Sequence, residues 1–226
     1  MSNRSIHTLL KSWDEECPLT REEAVEVLNL PEEEMDSLME CAYALRTKYK
    51  GKKVSVQLLT NVRSGNCTQN CAYCAQSKDS QAEIEKYKRV SDEKLYGDND
   101  LVDEKHLARH CIGLSGIGFS DEEIEDLADR IREMKKKDTQ ICCSIGFLTE
   151  KQARILKDAG LDRINHNLNS SRSFYPEICT THTYDQRVNN IKMLQSLGFE
   201  ICSGGIVGMG ESKEDIVDML MDLREI

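Results

Sequence analysis

Five short apolar segments alternate with amphipathic segments over residues 54–226, and this alternation restricts the fold more than any other feature of the chain. Apolar runs of this length are typical of buried strands, whereas the charged segments between them have helical periodicity. Strands that alternate with helices form a parallel sheet with right-handed crossovers. The predicted strands are Val54–Leu59, Arg109–Ser115, Gln140–Phe147, Asp162–Leu168 and Phe199–Gly208.

Residues at the segment ends mark where the helices begin and end. Ser120 and Thr149 stand at predicted N-caps, and Gly160 and Gly198 stand where two helices should stop. Residues 77–106 are different, because they are too charged and too rich in glycine and asparagine to predict a crossover helix. The first crossover is therefore the least defined part of the predicted fold.

The chain divides into a predicted helical appendage at residues 1–50 and a β/α domain at residues 51–226. Thr20 and Glu23 form a predicted capping box, and Pro31 stands at the first turn of a second amphipathic helix. An open doubly wound sheet and a TIM-type barrel both fit the β/α domain. A complete barrel takes roughly 250 residues. We therefore expect a barrel that is truncated in this chain, or one that an assembly such as a homodimer completes.

Charge and hydropathy exclude two kinds of partner. The chain has 30 Lys and Arg against 40 Asp and Glu, a formal net charge of -10, and so lacks the basic surface that nucleic-acid phosphates require. A small-molecule substrate is expected instead. No apolar run resembles a signal peptide or reaches the length of about 18 residues that a membrane helix needs. We therefore expect no membrane association and a cytoplasmic location.

Three of the ten cysteines lie close together in "GNCTQNCAYCAQS", residues 65–77. Cys67, Cys71 and Cys74 follow the first predicted strand, at the end of the sheet where parallel α/β folds place active sites. A structural zinc site usually needs a second C-x2-C knuckle, which the chain lacks, and a disulfide framework needs an oxidising compartment. Three thiolates can instead hold three irons of an iron–sulfur cluster and leave the fourth iron open. The spacing favours such a cluster over zinc or a disulfide.

The spacing C-x3-C-x2-C, with an aromatic residue before the last cysteine, resembles the signature of the radical S-adenosylmethionine (SAM) superfamily. The resemblance implies that Cys67, Cys71 and Cys74 hold a 4Fe-4S cluster and that Tyr73 packs near the adenine of SAM. It also implies that SAM is split by electron transfer, giving a radical that abstracts hydrogen from a substrate. The implied fold is an α/β TIM-type (β/α) barrel of the radical SAM kind, of which this chain holds about five units.

The rest of the chain resembles the biotin synthase family, from about Val54 to the last residue. The stretches that carry this resemblance are "GNCTQNCAYCAQS", "RHCIGLSG", "AGLDRINHNLNSS", "TTHTYDQR" and "ICSGGIVGMGE". The resemblance implies a sulfurtransferase that inserts sulfur into dethiobiotin to form biotin. It also implies an electron donor such as flavodoxin or ferredoxin.

The biotin synthase resemblance further implies an auxiliary iron–sulfur cluster that donates the sulfur. By this resemblance the cluster is a 2Fe-2S cluster, or one of a different type, and is held by Cys111, Cys142 and Cys202. These cysteines lie on three different predicted strands, so they can meet only inside a barrel. Cys143 is adjacent to Cys142 and should face the other way, towards the outer helices, unless a local distortion brings it to the cluster.

The same resemblance implies which residues contact SAM and the substrate. Asn167 and Asn169 should lie at the SAM ribose and dethiobiotin, and Arg187 should meet the SAM carboxylate. Structural roles remain open for these residues, as an asparagine at a strand end or an arginine on a solvated helix face. The other implied SAM contacts are Gly113, Ser115, Gly205 and Val207.

Two further functions stay open on the sequence. One is another radical SAM cofactor-maturation enzyme, which would use the first cluster on a different small molecule. The other is a truncated, non-catalytic iron–sulfur protein, because the chain lacks the last three β/α units of a biotin synthase barrel. Three cysteines have no motif around them and are predicted to be ordinary thiols: Cys17, Cys41 and Cys179.

Overall fold

The computed structural model describes residues 18–226, and its elements follow the predicted alternation of strands and helices. The strands are β1 (Gln57–Arg63), β2 (Arg109–Leu114), β3 (Ile141–Ser144), β4 (Arg163–Asn165) and β5 (Glu200–Cys202). The helices are α1 (Arg21–Leu28), α2 (Met35–Lys50), α3 (Asp92–Glu104), α4 (Asp121–Met134), α5 (Glu150–Asp158), α6 (Tyr175–Ile178), α7 (Tyr184–Ser196) and α8 (Lys213–Glu225), with a 3-10 turn at Glu32–Glu34. Cys17 and the first part of the predicted appendage lie outside the described residues.

The order of the strands distinguishes the two architectures that the sequence left open. The five strands are parallel and lie in the order β1-β2-β3-β4-β5, so each strand pairs with the next one along the chain. A doubly wound sheet would reverse its strand order at a switch point. An unreversed order, with right-handed crossovers, keeps all helices on one side of the sheet and is the arrangement of a barrel. The chain therefore forms five consecutive units of a TIM-type barrel.

Alternation of side chains along each strand separates a helix-facing layer from an inner layer. Ile112, Cys143 and Ile164 are fully buried in one apolar core with residues of the outer helices such as Ile124 and Leu156. Neighbouring positions on the same strands face the other side of the sheet. The structure thus places Cys143 against the outer helices, the first of the two alternatives for this residue.

One strand prediction and one helix prediction need correction. The first strand begins three residues later than predicted and extends to Arg63, and Val54 remains 74% exposed before it. Helix α3 occupies the segment where no helix was predicted, with Ser91 as an N-cap that accepts a hydrogen bond from the amide of Lys94. Its buried face contains the polar residues Asp98 and Asn99. Helix prediction depends on apolar residues that recur every three or four positions, and polar residues on the buried face interrupt this pattern.

The N-terminal helix α1 packs against α8 at the other end of the described chain. Arg21 forms an ion pair with Asp218, and the guanidinium of Arg224 donates a hydrogen bond to the carbonyl of Leu19 at 2.7 Å. These contacts place the predicted appendage beside the last helix. None of the helices within residues 18–226 is long and apolar enough to cross a bilayer.

Candidate active site and metal centre

The loop after β1 presents the three motif cysteines. Gly65 and Asn66 both have positive φ angles, 76° and 56°, and turn the chain sharply after the strand. The loop then folds back on itself: the amide of Cys67 donates to the carbonyl of Gln76 at 2.9 Å, and the amide of Cys74 donates to the carbonyl of Cys71 at 3.0 Å. Backbone hydrogen bonds therefore hold all three cysteines in one compact loop.

A cavity of about 290 Å³ lies at the carboxyl ends of the strands and is bounded on one side by the cysteine loop. It brings together most of the residues that the sequence assigned to the first cluster and to SAM. These lining residues are Cys67, Cys71, Tyr73, Cys74, Gly113, Ser115, Asn167, Asn169 and Arg187. They come from the ends of β1, β2 and β4 and from α7, so the cavity exists only in the folded barrel.

Two predicted SAM contacts lie outside the cavity wall. Gly205 is paired through the backbone with Asn169, whose amide donates to the carbonyl of Gly204 at 3.0 Å. Val207 is 62% exposed. Asn169 itself has a φ of 70°, a conformation that asparagine tolerates better than most residues. The β5 loop is thus connected to the cavity by main-chain contacts.

Arg187 lies in the cavity wall with protein partners for all three of its guanidinium nitrogens. Nη1 donates to the carbonyl of Asn167 at 3.1 Å, Nε donates to the hydroxyl of Tyr175, and Nη2 lies 2.9 Å from Nε2 of His182. Burial and the Arg187 charge lower the pKa of His182 to about 4, so this ring is neutral and can accept the bond. Arg187 therefore has a structural role in the cavity wall, and its contact with the SAM carboxylate stays a prediction.

Cys71 is the most deeply buried of the motif cysteines. Burial, together with the neighbouring Cys179, raises the pKa of its thiol to about 12. The two sulfur atoms lie 3.7 Å apart. Burial also raises the pKa of Tyr73, which packs next to Cys71. A protonated thiol at Cys71 must therefore lose its proton when it binds a metal.

The second group of predicted ligands lies deeper, on the inner face of the sheet. Cys111 and Cys142 are register partners on β2 and β3. A hydrogen bond from Cys142 lowers the pKa of Cys111 to about 7, aided by the charges of Arg109 and Arg163, and the same contact raises the pKa of Cys142. The structure therefore places a readily ionised thiol on this inner face.

Cys202 on β5 is connected to the cavity through one amide. It is the register partner of Asn165, whose Nδ2 lies 3.8 Å from its sulfur. Asn165 also lines the cavity of the cysteine loop. Asn165 therefore contacts Cys202 and also lines the cavity that the motif cysteines border.

The sequence of the chain matches the model of a known protein family. A sequence model of the Radical SAM superfamily matches residues 61–223, from β1 to within α8. The chain belongs to the radical SAM superfamily. Its cysteine loop, its cavity and most of its sheet lie within the matched residues.

Relatives within the superfamily are named as biotin synthases. The chain is 41% identical over 209 residues to the biotin synthase of Geobacillus kaustophilus, covering 92% of this chain and 63% of that protein. It is 40% identical to the biotin synthases of Rhodopirellula baltica and Bacillus subtilis, again over 92% of this chain. The similarity expected from the sequence is confirmed, and the chain spans about three fifths of the length of these relatives.

Solved structures show the same fold. Methylornithine synthase (PylB) aligns with a TM-score of 0.83 at 16% identity, covering 96% of this chain and 63% of that one. The FeFe-hydrogenase maturase HydG from Carboxydothermus hydrogenoformans aligns with a TM-score of 0.81 at 19% identity, covering 97% of this chain and 52% of that one. The predicted α/β barrel of the radical SAM kind, incomplete in this chain, is thereby confirmed.

The residues of the cavity fit the cofactors of the superfamily. Three thiols from one loop line it, which is the donor set of a 4Fe-4S cluster with one open iron. Within residues 18–226, the buried Nε2 of the lining residue His166 has no hydrogen-bond partner, so the wall offers a free polar atom to a bound molecule. Polar side chains and backbone groups around thiols suit a ligand such as SAM, which has charged and polar ends.

Some residues of this site were not predicted from the sequence. Cys179, predicted to be an ordinary thiol, contacts Cys71, and His182 contacts Arg187 and Tyr175. Gln69 and Gln76 also line the cavity. The stretch "TTHTYDQR" that carried the family resemblance contains His182, and this was the only available signal.

Proposed function

We propose that the chain is a biotin synthase-type sulfurtransferase, which inserts sulfur into dethiobiotin to form biotin. One observation carries the proposal: the three motif thiols share a cavity with the asparagines after β4, and Cys111, Cys142 and Cys202 lie on the inner face of the same sheet. The relatives named biotin synthase support this choice of reaction. The chain covers only part of their length, so the activity of the whole protein belongs to the proposal.

In this proposal the cysteine loop holds the first cluster. Cys67, Cys71 and Cys74, which line the cavity, would hold three irons of a 4Fe-4S cluster. When bound there, the cluster and SAM supply the one-electron chemistry that removes hydrogen from the substrate. The loop's own backbone hydrogen bonds position the three cysteines before the cluster binds. An electron donor such as flavodoxin or ferredoxin supplies the electron from the reducing cytoplasm.

In this proposal the cavity wall orients SAM. The amides of Asn167 and Asn169 can donate and accept, which suits hydroxyl groups of a ribose. Tyr73, buried beside Cys71, offers a flat apolar face for an adenine ring. Gly113 and Ser115 form the wall at the end of β2, and the backbone of Gly205 supports Asn169.

The inner cysteines are proposed to hold the auxiliary, sulfur-donating cluster. Cys111, Cys142 and Cys202 come from three strands of one sheet. The low pKa of Cys111 favours the thiolate that binds iron. Asn165 contacts Cys202 and lines the cavity, so it lies between the two cysteine groups and can position a substrate that reaches from one to the other.

Iron counting and product analysis test the proposal. After anaerobic reconstitution, the wild-type chain should hold about six irons, about four in the first cluster and about two in the auxiliary one. Cys74→Ala should lose the first set, Cys111→Ala should lose the second, and Cys41→Ala should keep both. With SAM, a reductant and dethiobiotin, the wild type should form 5'-deoxyadenosine and biotin.

Each outcome of this experiment separates the competing functions. Formation of 5'-deoxyadenosine with only about four irons and no biotin would reject sulfur insertion and leave another radical SAM reaction. Absence of both products, with clusters present, would support a non-catalytic iron–sulfur protein.

Size-exclusion chromatography of the reconstituted chain tests the expected homodimer.

A further inference from the structure

One cysteine of the motif loop and two residues near α6 and α7 bring three buried donor atoms together. They are Sγ of Cys71 after β1, Sγ of Cys179 just after α6, and a ring nitrogen of His182 before α7. All three residues are buried, and their donor atoms lie within 4.8 Å of one another. Among the His, Cys, Asp and Glu residues at positions 18–226, no other three form such a group. Neither Cys67 nor Cys74 belongs to it.

Two of the three donor-to-donor distances are close to the edges of a tetrahedral metal site. With Zn–S bonds of about 2.3 Å and Zn–N bonds of about 2.05 Å, two sulfurs should lie about 3.8 Å apart and a sulfur and nitrogen about 3.6 Å apart. The sulfurs of Cys71 and Cys179 are separated by 3.7 Å, and Nδ1 of His182 lies 3.3 Å from Sγ of Cys179. The third distance, from Sγ of Cys71 to the ring nitrogen, is within 4.8 Å, so binding of an ion requires Cys71 and His182 to adjust towards each other.

The surroundings supply the remaining requirements of a metal site. Ligation through Nδ1 of His182 leaves Nε2 to carry the ring proton, and the hydroxyl of Tyr175 lies 2.9 Å away to accept it. The amide oxygen of Gln69, 2.8 Å from Nδ1, can supply a donor for the fourth position. Arg187 keeps its contacts with Tyr175 and Asn167 when its contact with Nε2 is lost.

Charge favours a divalent ion at this buried place. Two thiolates and a neutral imidazole make the complex with a dication neutral, so little charge is buried and the nearby Arg187 is not strongly repelled. The soft sulfur donors and the imidazole select Zn²⁺ over Mg²⁺ or Ca²⁺. Formation of the complex releases the protons of the two thiols to solvent and involves no oxidation.

We propose that the chain without its iron–sulfur cluster binds one Zn²⁺ through Cys71, Cys179 and His182. Cys71 is also a proposed ligand of the 4Fe-4S cluster, so zinc and the cluster exclude each other. Zinc binding does not require the proposed reaction, and only the mutual exclusion rests on the proposed function. Zinc bound here would keep the loop folded and would have to leave before the cluster is inserted.

Metal titration of the cluster-free chain tests this site. The protein is prepared anaerobically with a chelator, dialysed, and titrated with Co²⁺ as a spectroscopic probe and then with Zn²⁺ against a chromophoric chelator. Wild type and the double variant Cys67→Ala/Cys74→Ala should each bind one ion, with the visible absorption of thiolate-ligated tetrahedral Co²⁺. Cys179→Ser and His182→Gln should bind Zn²⁺ more than about 100-fold more weakly, since even outer-shell partners change metal affinity about 10- to 100-fold.

The double variant is the decisive control, because the motif itself contains three thiols that bind metals. Loss of the ion in Cys67→Ala/Cys74→Ala, with full binding in Cys179→Ser, would assign the metal to the motif and overturn the proposal. Absence of binding by the wild type would overturn it as well. Circular dichroism verifies that each variant is folded, and Cys179→Ser nearly preserves the volume of the side chain. Failure of the 4Fe-4S cluster to form affects the proposed function and leaves this measurement unchanged.

Discussion

Arg187 on α7 donates a hydrogen bond to the backbone carbonyl of Asn167 at 3.1 Å and so connects the loop after β4 to a helix 20 residues further along the chain. Its other two nitrogens contact the side chains of Tyr175 and His182. A guanidinium carries its donors on three nitrogens spread over a planar group, whereas a lysine carries its three donors on one nitrogen and cannot reach partners that lie this far apart. The cavity wall therefore depends on the shape of this side chain as well as on its charge.

Replacing Arg187 with lysine should lower the free energy of unfolding by about 1–3 kcal/mol, because at least two partners lose their hydrogen-bond donor. Urea denaturation of the cluster-free chain measures the change. Arg172→Lys is the matched control, since Arg172 pairs with Asp185 at an exposed position and such pairs contribute little. Equal stability of the two variants would contradict the structural role given to Arg187.

Asp215 should make the stability of the chain depend on pH. The hydroxyls of Ser171, Ser173 and Ser212 donate to its carboxylate and hold its pKa well below the ordinary value of 3.8. The folded chain therefore releases this proton more easily than the unfolded chain, so the contribution is complete above about pH 4 and is lost as the pH falls further. Asp215 thus ties the loop after β4 to the start of α8.

Asp215→Asn should lower the free energy of unfolding by about 1–2 kcal/mol at pH 7, as the loss of a helix-capping carboxylate does. The difference from wild type should shrink as the pH falls below about 4. Urea midpoints between pH 7 and pH 3 measure it. Asp218→Asn, which removes an exposed ion pair with Arg21, should change stability by less than about 1 kcal/mol. A constant difference across this pH range would refute the assignment.

Gly146 should tolerate no side chain. A Cβ atom at this position would lie 2.3 Å from the carbonyl oxygen of Ile117, which belongs to the backbone and cannot move aside easily. Gly146→Ala should therefore lower the free energy of unfolding by more than about 2 kcal/mol. Gly118→Ala is the control, because a Cβ atom added there would meet no other atom within 4 Å. Thermal melts compare the two, and similar melting temperatures would show that the loop around Ile117 yields.

Sequence patterns predicted the parts of the fold that depend on local repetition. The alternation of apolar and amphipathic segments predicted the parallel sheet, and the alternation of faces along β3 separated Cys142 from Cys143 correctly. The position of the cysteine loop at the end of β1 was also correct. Each of these features is set by residues near one another in the chain.

Features that depend on distant contacts were not predicted. Cys179 lies 108 residues from Cys71 in sequence, so no local pattern connects their sulfurs. Helix α3 was missed because Asp98 and Asn99 on its buried face receive their partners from β1, β2 and α4. A buried polar residue looks like a surface residue until its partner is known.

The polar face of α3 provides the last prediction. Asn99 is only 2% exposed, donates to the carbonyl of Met134 at 3.2 Å, and its Oδ1 lies 3.2 Å from Nδ1 of His110. Asn99→Ala should cost about 1–3 kcal/mol in urea denaturation, because Nδ1 of His110 stays buried without a partner and the carbonyl of Met134 keeps only the longer bond from the amide of Lys137. Asn189→Ala, at an exposed position of α7, should change stability by less than about 0.5 kcal/mol. Hydrogen exchange should show faster opening of α3 in Asn99→Ala alone, and unchanged protection would mean that the helix is held by its apolar contacts instead.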